Sequence, residues 1–237
     1  MPPSTCYMCD ATSTSIEHVP PRCLFPEQRD LPPDADLRRQ LITVPSCRVH
    51  NTERSQDDEY LLYALVMSLP NNQTAADHFS TKILRAIARR PTVIKMFTRT
   101  QLRVTIENSE TGEVQETLAL QVDHSRLGQA LEKIGRALYF HHFGTPYAGT
   151  VSPYPHFLLA ITEENARELN APLESMAAAA EEVVLNTPRH GENPAVFCYQ
   201  FVKSQGPVST IMLLRFYEGS KVTLLFRDDV FQETPSN

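Results

Sequence analysis

Two pairs of metal-ligating residues with the same spacing most constrain how the beginning of this chain can fold. Two residues separate Cys6 from Cys9, and two residues separate Cys47 from His50. This spacing lets both side chains of a pair reach one ion from a tight turn, and three thiolates with one imidazole complete a tetrahedral zinc site. We therefore predict a structural Zn²⁺ bound by these four residues, against the alternative of unrelated buried thiols.

The composition of the first 55 residues or so favours the metal site. This segment is rich in proline, cysteine and polar residues, so it can bury little apolar surface and needs an added constraint. The chain begins without the basic and apolar stretches of a secretory signal, which predicts a cytoplasmic location. Thiols stay reduced in that compartment, and the odd number of cysteines, five, also fits metal better than complete disulfide pairing.

A second set of polar residues lies between and just after the two pairs. Glu17 and His18 are adjacent, and Asn51 directly follows His50. A carboxylate and an amide offer the oxygen ligands that Mg²⁺-type ions prefer, and an imidazole suits a general base near neutral pH. The alternative is that Glu17 and His18 only close a loop over the zinc site. Asp57 and Asp58 could reach the ion, but the favoured interpretation is a helix N-terminus with acidic residues in its first turn.

The order of these motifs resembles that of the HNH endonucleases over about the first 60 residues. The matching segments are Cys6-x-x-Cys9, Glu17-His18-Val-Pro-Pro21 and Cys47-x-x-His50-Asn51. The resemblance implies a zinc-stabilised ββα-metal module that hydrolyses nucleic-acid phosphodiesters. It makes Glu17 and Asn51 ligands of a catalytic Mg²⁺ or Mn²⁺ and His18 the general base. Gln40 or Arg39 stands closest to the position of the family's middle asparagine, which orients the base, and Gln40 could do so with its side-chain amide.

A stretch without acidic residues runs from Phe79 to Ile106 and contains several arginines, although the net charge of the chain is −6. Such a run can bind phosphates, or it can be a solvated helix face whose arginines pair with carboxylates elsewhere. Two further arginines flank the second ligand pair. The candidates for nucleic-acid binding are Arg48, Arg54, Arg85, Arg89 and Arg90.

The pattern of apolar residues predicts an α+β chain with a mostly antiparallel sheet. Helices are expected from Ser55 to Leu69, from Thr74 to Arg90, after Asp123, and over 163–182 with a break near Pro172. Strands are expected at 101–106, 114–122, 157–161, 196–202, 208–217 and 221–226. We divide the chain into an HNH-like module (1–66), a basic helical connector (67–100), an α+β domain of unknown role (101–231) and a disordered tail (232–237).

The favoured functional prediction is a metal-dependent nuclease that acts on DNA rather than RNA. The alternative is a non-catalytic, zinc-stabilised module that binds nucleic acid or protein. Under a third hypothesis, the C-terminal domain regulates the module through a ligand or through formation of a homo-oligomer. No membrane span is expected, because no apolar run reaches about 18 residues.

Overall fold

The first part of the chain forms two small antiparallel hairpins and then turns into helices. The computed structural model describes residues 5–52, 55–92, 97, 101–107, 111–161 and 164–228. A tight turn closed by a bridge between Thr5 and Thr12 carries the first cysteine pair. Strand β1 (Ser15–Val19) pairs with β2 (Ile42–Ser46), and the backbone N–H of Tyr7 donates to the Pro45 carbonyl at 2.9 Å.

Where the structure gives the bounds of the elements, four short helices follow the second strand. They are α1 (Arg48–Thr52), α2 (Ser55–Val66), α3 (Gln73–His78) and α4 (Leu84–Arg89). The predicted helix over 74–90 is confirmed, with a π-helical turn at Phe79–Ile83 joining its two parts. Every residue from position 60 to position 66 of α2 is buried, so this helix is a core element rather than a surface element.

The long helix α5 (His124–Phe143) packs on both of its sides. Its predicted apolar stripe is confirmed, since Leu127, Leu131, Ile134 and Leu138 are all buried. A second face carries Ala130, Lys133 and Ala137, which are buried as well. Because α5 also contacts α2, β1 and β2, it links the N-terminal hairpin to the rest of the chain.

The C-terminal half contains an antiparallel five-stranded sheet with the order β5-β9-β8-β7-β6. Its strands are β5 (Thr150–Pro155), β6 (His190–Asn193), β7 (Phe197–Lys203), β8 (Val208–Phe216) and β9 (Ser220–Arg227). Helix α6 (Ala166–Val184) packs against β7, β8 and β9. A separate hairpin of β3 (Leu102–Glu107) and β4 (Val114–Ala119) precedes α5.

Two predictions in this half are wrong. The segment 157–161 is not a strand, because the Asn170 side chain bonds both the N–H and the carbonyl of Ala160, at 2.8 and 2.9 Å. The strand lies instead at β5, where Pro153 and Pro155 are tolerated at the edge of the sheet. The predicted break near Pro172 is also absent, since α6 continues through this residue.

Buried apolar side chains from Cys6 to Phe226 form one contiguous cluster. The N-terminal hairpins, the helices α2 and α5 and the large sheet therefore share a core, whereas Ala180 and Val184 of α6 form a second cluster with Leu213. The division at residues 66 and 100 stays a prediction. The predicted tail at 232–237 lies outside the described residues. In the described part of the chain, no helix has both the length and the apolar character needed to cross a bilayer.

Candidate metal and catalytic site

The four predicted zinc ligands converge on one point. The ligand atoms of Cys6, Cys9, Cys47 and His50 all lie within 4.8 Å of one another. The Nδ1 atom of His50 is 3.4, 3.6 and 3.2 Å from the sulfurs of Cys6, Cys9 and Cys47, and the last two sulfurs are 4.0 Å apart. Tetrahedral zinc places sulfur and nitrogen ligands about 3.5 Å apart and two sulfurs about 3.8 Å apart. The cluster could hold a metal ion such as zinc.

Local structure positions each ligand. The turn between Cys6 and Cys9 is closed by a bond from the Cys6 N–H to the Ala11 carbonyl at 2.9 Å. Cys47 directly follows β2, and His50 lies on the first turn of α1. The backbone N–H of His50, and next the side chains of Cys6 and Cys9, lower the pKa of the Cys47 thiol against the effect of burial, which favours the thiolate form that binds metal.

Glu17, His18 and Asn51 line a single cleft of about 650 Å³ beside this cluster. The cleft lies between β1, α1, the first half of α2, the π-helical turn at Phe79–Ile83 and α4. Its lining also includes Arg22, Cys23, Asp58, Lys82 and Arg90. The structure therefore brings the predicted base and both predicted divalent-ion ligands to one place.

The Glu17 carboxylate is nearly buried, and its two oxygens have different surroundings. One oxygen forms an ion pair with the Lys133 ammonium, and the side chains of the two residues are 11% and 8% exposed. The other, Oε2, is buried and has no hydrogen-bond partner among the described residues. Burial, and next the charge of Glu17 and a side-chain contact with it, raise the pKa of the Tyr7 phenol, so the Tyr7 hydroxyl lies beside the Glu17 carboxylate although the geometry of a hydrogen bond is not reached. Glu17 thus keeps an oxygen without a hydrogen bond among the described residues, of the kind that a hard cation binds.

Asn51 offers a second oxygen to the same region. Its Nδ2 group donates to the Ser15 hydroxyl at 2.7 Å, which leaves the amide oxygen without an assigned role. Ser15 and Glu17 lie two residues apart on β1 and therefore on the same face of the strand. The donors present, a carboxylate oxygen and an amide oxygen, fit a Mg²⁺ or Mn²⁺ ion.

His18 is half-buried on β1, where it pairs with Thr43 of β2 and lines the cleft. Burial, and then the positive charges of Arg22 and Arg38, lower the pKa of its imidazole. The side chain is therefore neutral at pH 7 and able to accept a proton, which is the state a general base requires.

The two acids at the start of α2 have separate environments. Asp57 pairs with Arg126 at 2.6 Å, as expected for a surface acid of a helix N-terminus. Asp58 lines the cleft, and burial followed by the charges of Glu17 and Asp57 raises its pKa to about 6, although Lys133 opposes this shift. Asp58 therefore adds a carboxyl group that titrates near neutrality to the site.

Gln40 is not brought to this cleft. It is exposed, has a φ of 50°, and lines a separate small cavity with Ile42 and Gly191. The neighbouring Arg39 carbonyl accepts a bond from Asn193 of β6 at 2.9 Å, which directs this loop toward the large sheet. The structure thus gives Gln40 no contact through which it could orient His18.

The predicted nucleic-acid-binding arginines are divided. Arg85 pairs with the buried Asp30 at 2.6 Å, and Arg90 lines the cleft but lies 3.6 Å from Glu59. Arg48 and Arg89 are exposed. Arg54 lies outside the described residues. For Arg85 and Arg90 the structure matches the alternative in which the basic run pairs with distant acids.

Lys133 is the site residue that sequence reasoning missed. It lies more than one hundred positions after Glu17 and would be taken for a surface lysine of an amphipathic helix. Its neighbours three positions before and four positions after, Ala130 and Ala137, are small and apolar. Small residues at this spacing are the signal that a second helix face is packed.

Comparisons with protein families, with curated proteins and with solved structures found no significant match to this chain.

Proposed function

We propose that the chain is a metal-dependent phosphodiesterase of the HNH type that cleaves nucleic acid. The observation that supports this most is that Glu17, His18 and Asn51 line one cleft next to a Cys₃His cluster. In this proposal zinc stabilises the N-terminal module. Glu17 and Asn51 hold a Mg²⁺ or Mn²⁺ ion, which when bound would stabilise negative charge on the leaving oxygen. A reducing compartment, the cytoplasm, keeps the three thiols available.

His18 acts as the base in this reaction. Its neutral imidazole accepts a proton from the water that attacks the phosphorus. Arg22 and Lys82, which line the same cleft, neutralise the phosphate of the substrate. We propose DNA rather than RNA as the substrate, and formation of a homo-oligomer stays a prediction.

The test is a plasmid-nicking assay with Mg²⁺ or Mn²⁺ on the zinc-loaded protein. Removal of a general base costs about 10²- to 10⁴-fold in rate, so His18→Ala should lose activity by at least the lower factor. His124→Ala is the matched control, because His124 is exposed and is not among the residues that line the cleft. Equal cleavage by wild type and His18→Ala, at equal zinc content, would overturn the proposal.

A non-catalytic binding module is the second candidate function. It is favoured by the Glu17–Lys133 pair, which already supplies the carboxylate with a cation. Arg85 and Arg90 are likewise paired with acids. This candidate predicts one tightly bound zinc, no second divalent ion in a Mn²⁺ titration, and no nicking under any metal.

A further inference from the structure

Lys133 is an unusual residue for its position. It comes from α5 in the second half of the chain, is 7% exposed, and forms an ion pair with Glu17 of β1. A buried ammonium loses its hydration and is retained only when a carboxylate or hydrogen bonds compensate it. Here the compensating group is the same carboxylate that the proposed function assigns to a divalent ion.

Two kinds of cation can pair with the Glu17 carboxylate, the Lys133 ammonium and a divalent ion. The ammonium pairs with one oxygen, and the buried Oε2 atom has no hydrogen bond among the residues described, although the Tyr7 hydroxyl lies beside the carboxylate. A divalent ion on Oε2 would stand within a few ångströms of the ammonium, where like charges repel strongly because little water screens them. Asp58 lines the same cleft, and its carboxyl interacts electrostatically with both Glu17 and Lys133.

We propose that the Lys133 ammonium and a divalent cation are alternative partners of the Glu17 carboxylate. The ion that enters the cleft must displace Lys133 or act against its charge. Since Lys133 is carried by α5, which packs on the five-stranded sheet, the C-terminal half sets how tightly the cleft binds an ion. The inference rests on the proposed function only for the choice of Glu17 as an ion ligand.

The experiment measures Mn²⁺ affinity on the full-length, zinc-loaded protein by electron paramagnetic resonance of free Mn²⁺. Lys133→Gln should bind Mn²⁺ at least about tenfold more tightly than wild type, since a nearby like charge is removed. The matched control is Lys221→Gln, because Lys221 also pairs with an acid, Glu181, at 2.7 Å. It should bind Mn²⁺ as wild type does. Equal affinity of Lys133→Gln and wild type, or equal tightening by both variants, would overturn the inference.

Two further measurements make the result decisive. The double variant Glu17→Gln/Lys133→Gln should lose the gained affinity, and its retention would show that the ion binds elsewhere. On the wild-type protein, saturating Mg²⁺ should shift the ¹³Cε resonance of Lys133 but not that of Lys221. A shift of His18 resonances with Lys133 unchanged contradicts competition, even if the lysine variants do not fold.

The outcomes also separate this inference from the proposed function. Tighter Mn²⁺ binding by Lys133→Gln without any nicking supports the competition and contradicts the nuclease. Nicking that depends on His18, combined with equal Mn²⁺ affinity of wild type and Lys133→Gln, supports the nuclease and contradicts the competition.

Discussion

The N-terminal hairpins and the C-terminal sheet reach a stable structure by different means. Strands β1 and β2 have five residues each, whereas β8 has nine and β9 has eight. Residues 212–217 at the end of β8 and in the following turn are all buried, so this sheet is stabilised by apolar burial. In the described residues 5–52 the structure has no comparable run of buried residues. These residues carry the Cys₃His cluster, which could hold a metal ion, and they pack on α5.

The contact between the two regions combines apolar and ionic interactions. The apolar cluster is continuous across it, yet two ion pairs also cross, Glu17 with Lys133 and Asp57 with Arg126. The guanidinium of Arg126 lies 4.6 Å from the ring centre of Tyr60, which adds a cation–π contact. The region that carries the Cys₃His cluster is thereby held on a region stabilised by apolar burial.

Loss of one ligand should have the largest effect, and it should be confined to the N-terminal region. Cys47→Ser removes a thiolate from the cluster, and structural zinc in small peptides contributes about 10–16 kcal/mol to folding. We expect loss of bound zinc and fast amide exchange over 5–52, with slow exchange retained in β7, β8 and β9. Metal analysis and hydrogen–deuterium exchange mass spectrometry measure both. Cys23→Ser is the control, because Cys23 lies outside the cluster; zinc loss in that variant too would contradict the assignment.

Truncation in the sheet should have a smaller effect that spreads to the whole chain. Phe226 is fully buried and stacks on Tyr139 at 5.7 Å between ring centres. Phe226→Ala should lower the free energy of unfolding by about 3–5 kcal/mol, because it leaves a cavity in the core. Urea denaturation followed by circular dichroism measures this change. Leu169→Ala, at a position that is 48% exposed, is the control and should change it by no more than about 0.5 kcal/mol. Equal effects of the two variants would contradict the assignment of the core.

The large sheet with α5 and the ligand cluster also differ in how far the sequence predicts them. The α5 stripe and strands β7, β8 and β9 were predicted correctly, because their apolar period continues over several turns or residues. The ligand cluster was predicted from spacing alone. Strand β5 was missed, because Pro153 and Pro155 suggest a non-strand segment and only pairing at an edge permits them.

Only the part of the candidate site that lies close to the ligand pairs in the sequence was predicted. The convergence of Glu17, His18 and Asn51 follows from residues close to the ligand pairs. The position of Gln40 depends on the Asn193 bond from β6, and the ion pair of Lys133 depends on how α5 docks. Both are long-range contacts that no local pattern in the sequence encodes. The same limit applies to the pairing of Arg85 with Asp30.

Acid should weaken the structure through a histidine at the contact between the helices and the sheet. His78 is buried, its Nδ1 atom is 3.1 Å from the Tyr217 hydroxyl, and burial lowers its pKa to about 3. Below pH ~6.5 the unfolded chain takes up a proton on this residue that the folded chain does not. Stability therefore falls as the pH falls, by about 1.4 kcal/mol per pH unit from this group.

The measurement compares the free energy of unfolding at pH 6.5 and pH 5. Between these two pH values the free energy of unfolding of wild type should fall by about 2 kcal/mol because of His78. The fall should be smaller by this amount in His78→Phe. Other histidines contribute equally to both proteins, so only the difference between them is informative. His124→Phe, at an exposed position, should keep the full acid loss. An unchanged loss in His78→Phe would show that this imidazole is protonated in the folded protein.

The smallest expected effect concerns a single residue that connects a helix start to the sheet. The Asn72 carboxamide oxygen accepts from the Ala75 N–H at 3.2 Å, and its Nδ2 group donates to the Ala195 carbonyl at 2.8 Å. Asn72→Ala should lower the free energy of unfolding by about 1 kcal/mol through loss of the cap.

Asn72→Asp separates the two roles, because it keeps the acceptor for the cap and loses the donor to Ala195. It also places a charge beside Glu218, whose carboxylate lies 3.0 Å from Nδ2. If Asn72→Asp is less stable than Asn72→Ala in urea denaturation, the bond to the sheet outweighs the cap. If it matches wild type, the cap alone stabilises this junction, and the ionic and apolar contacts of α5 become the main link between the two regions.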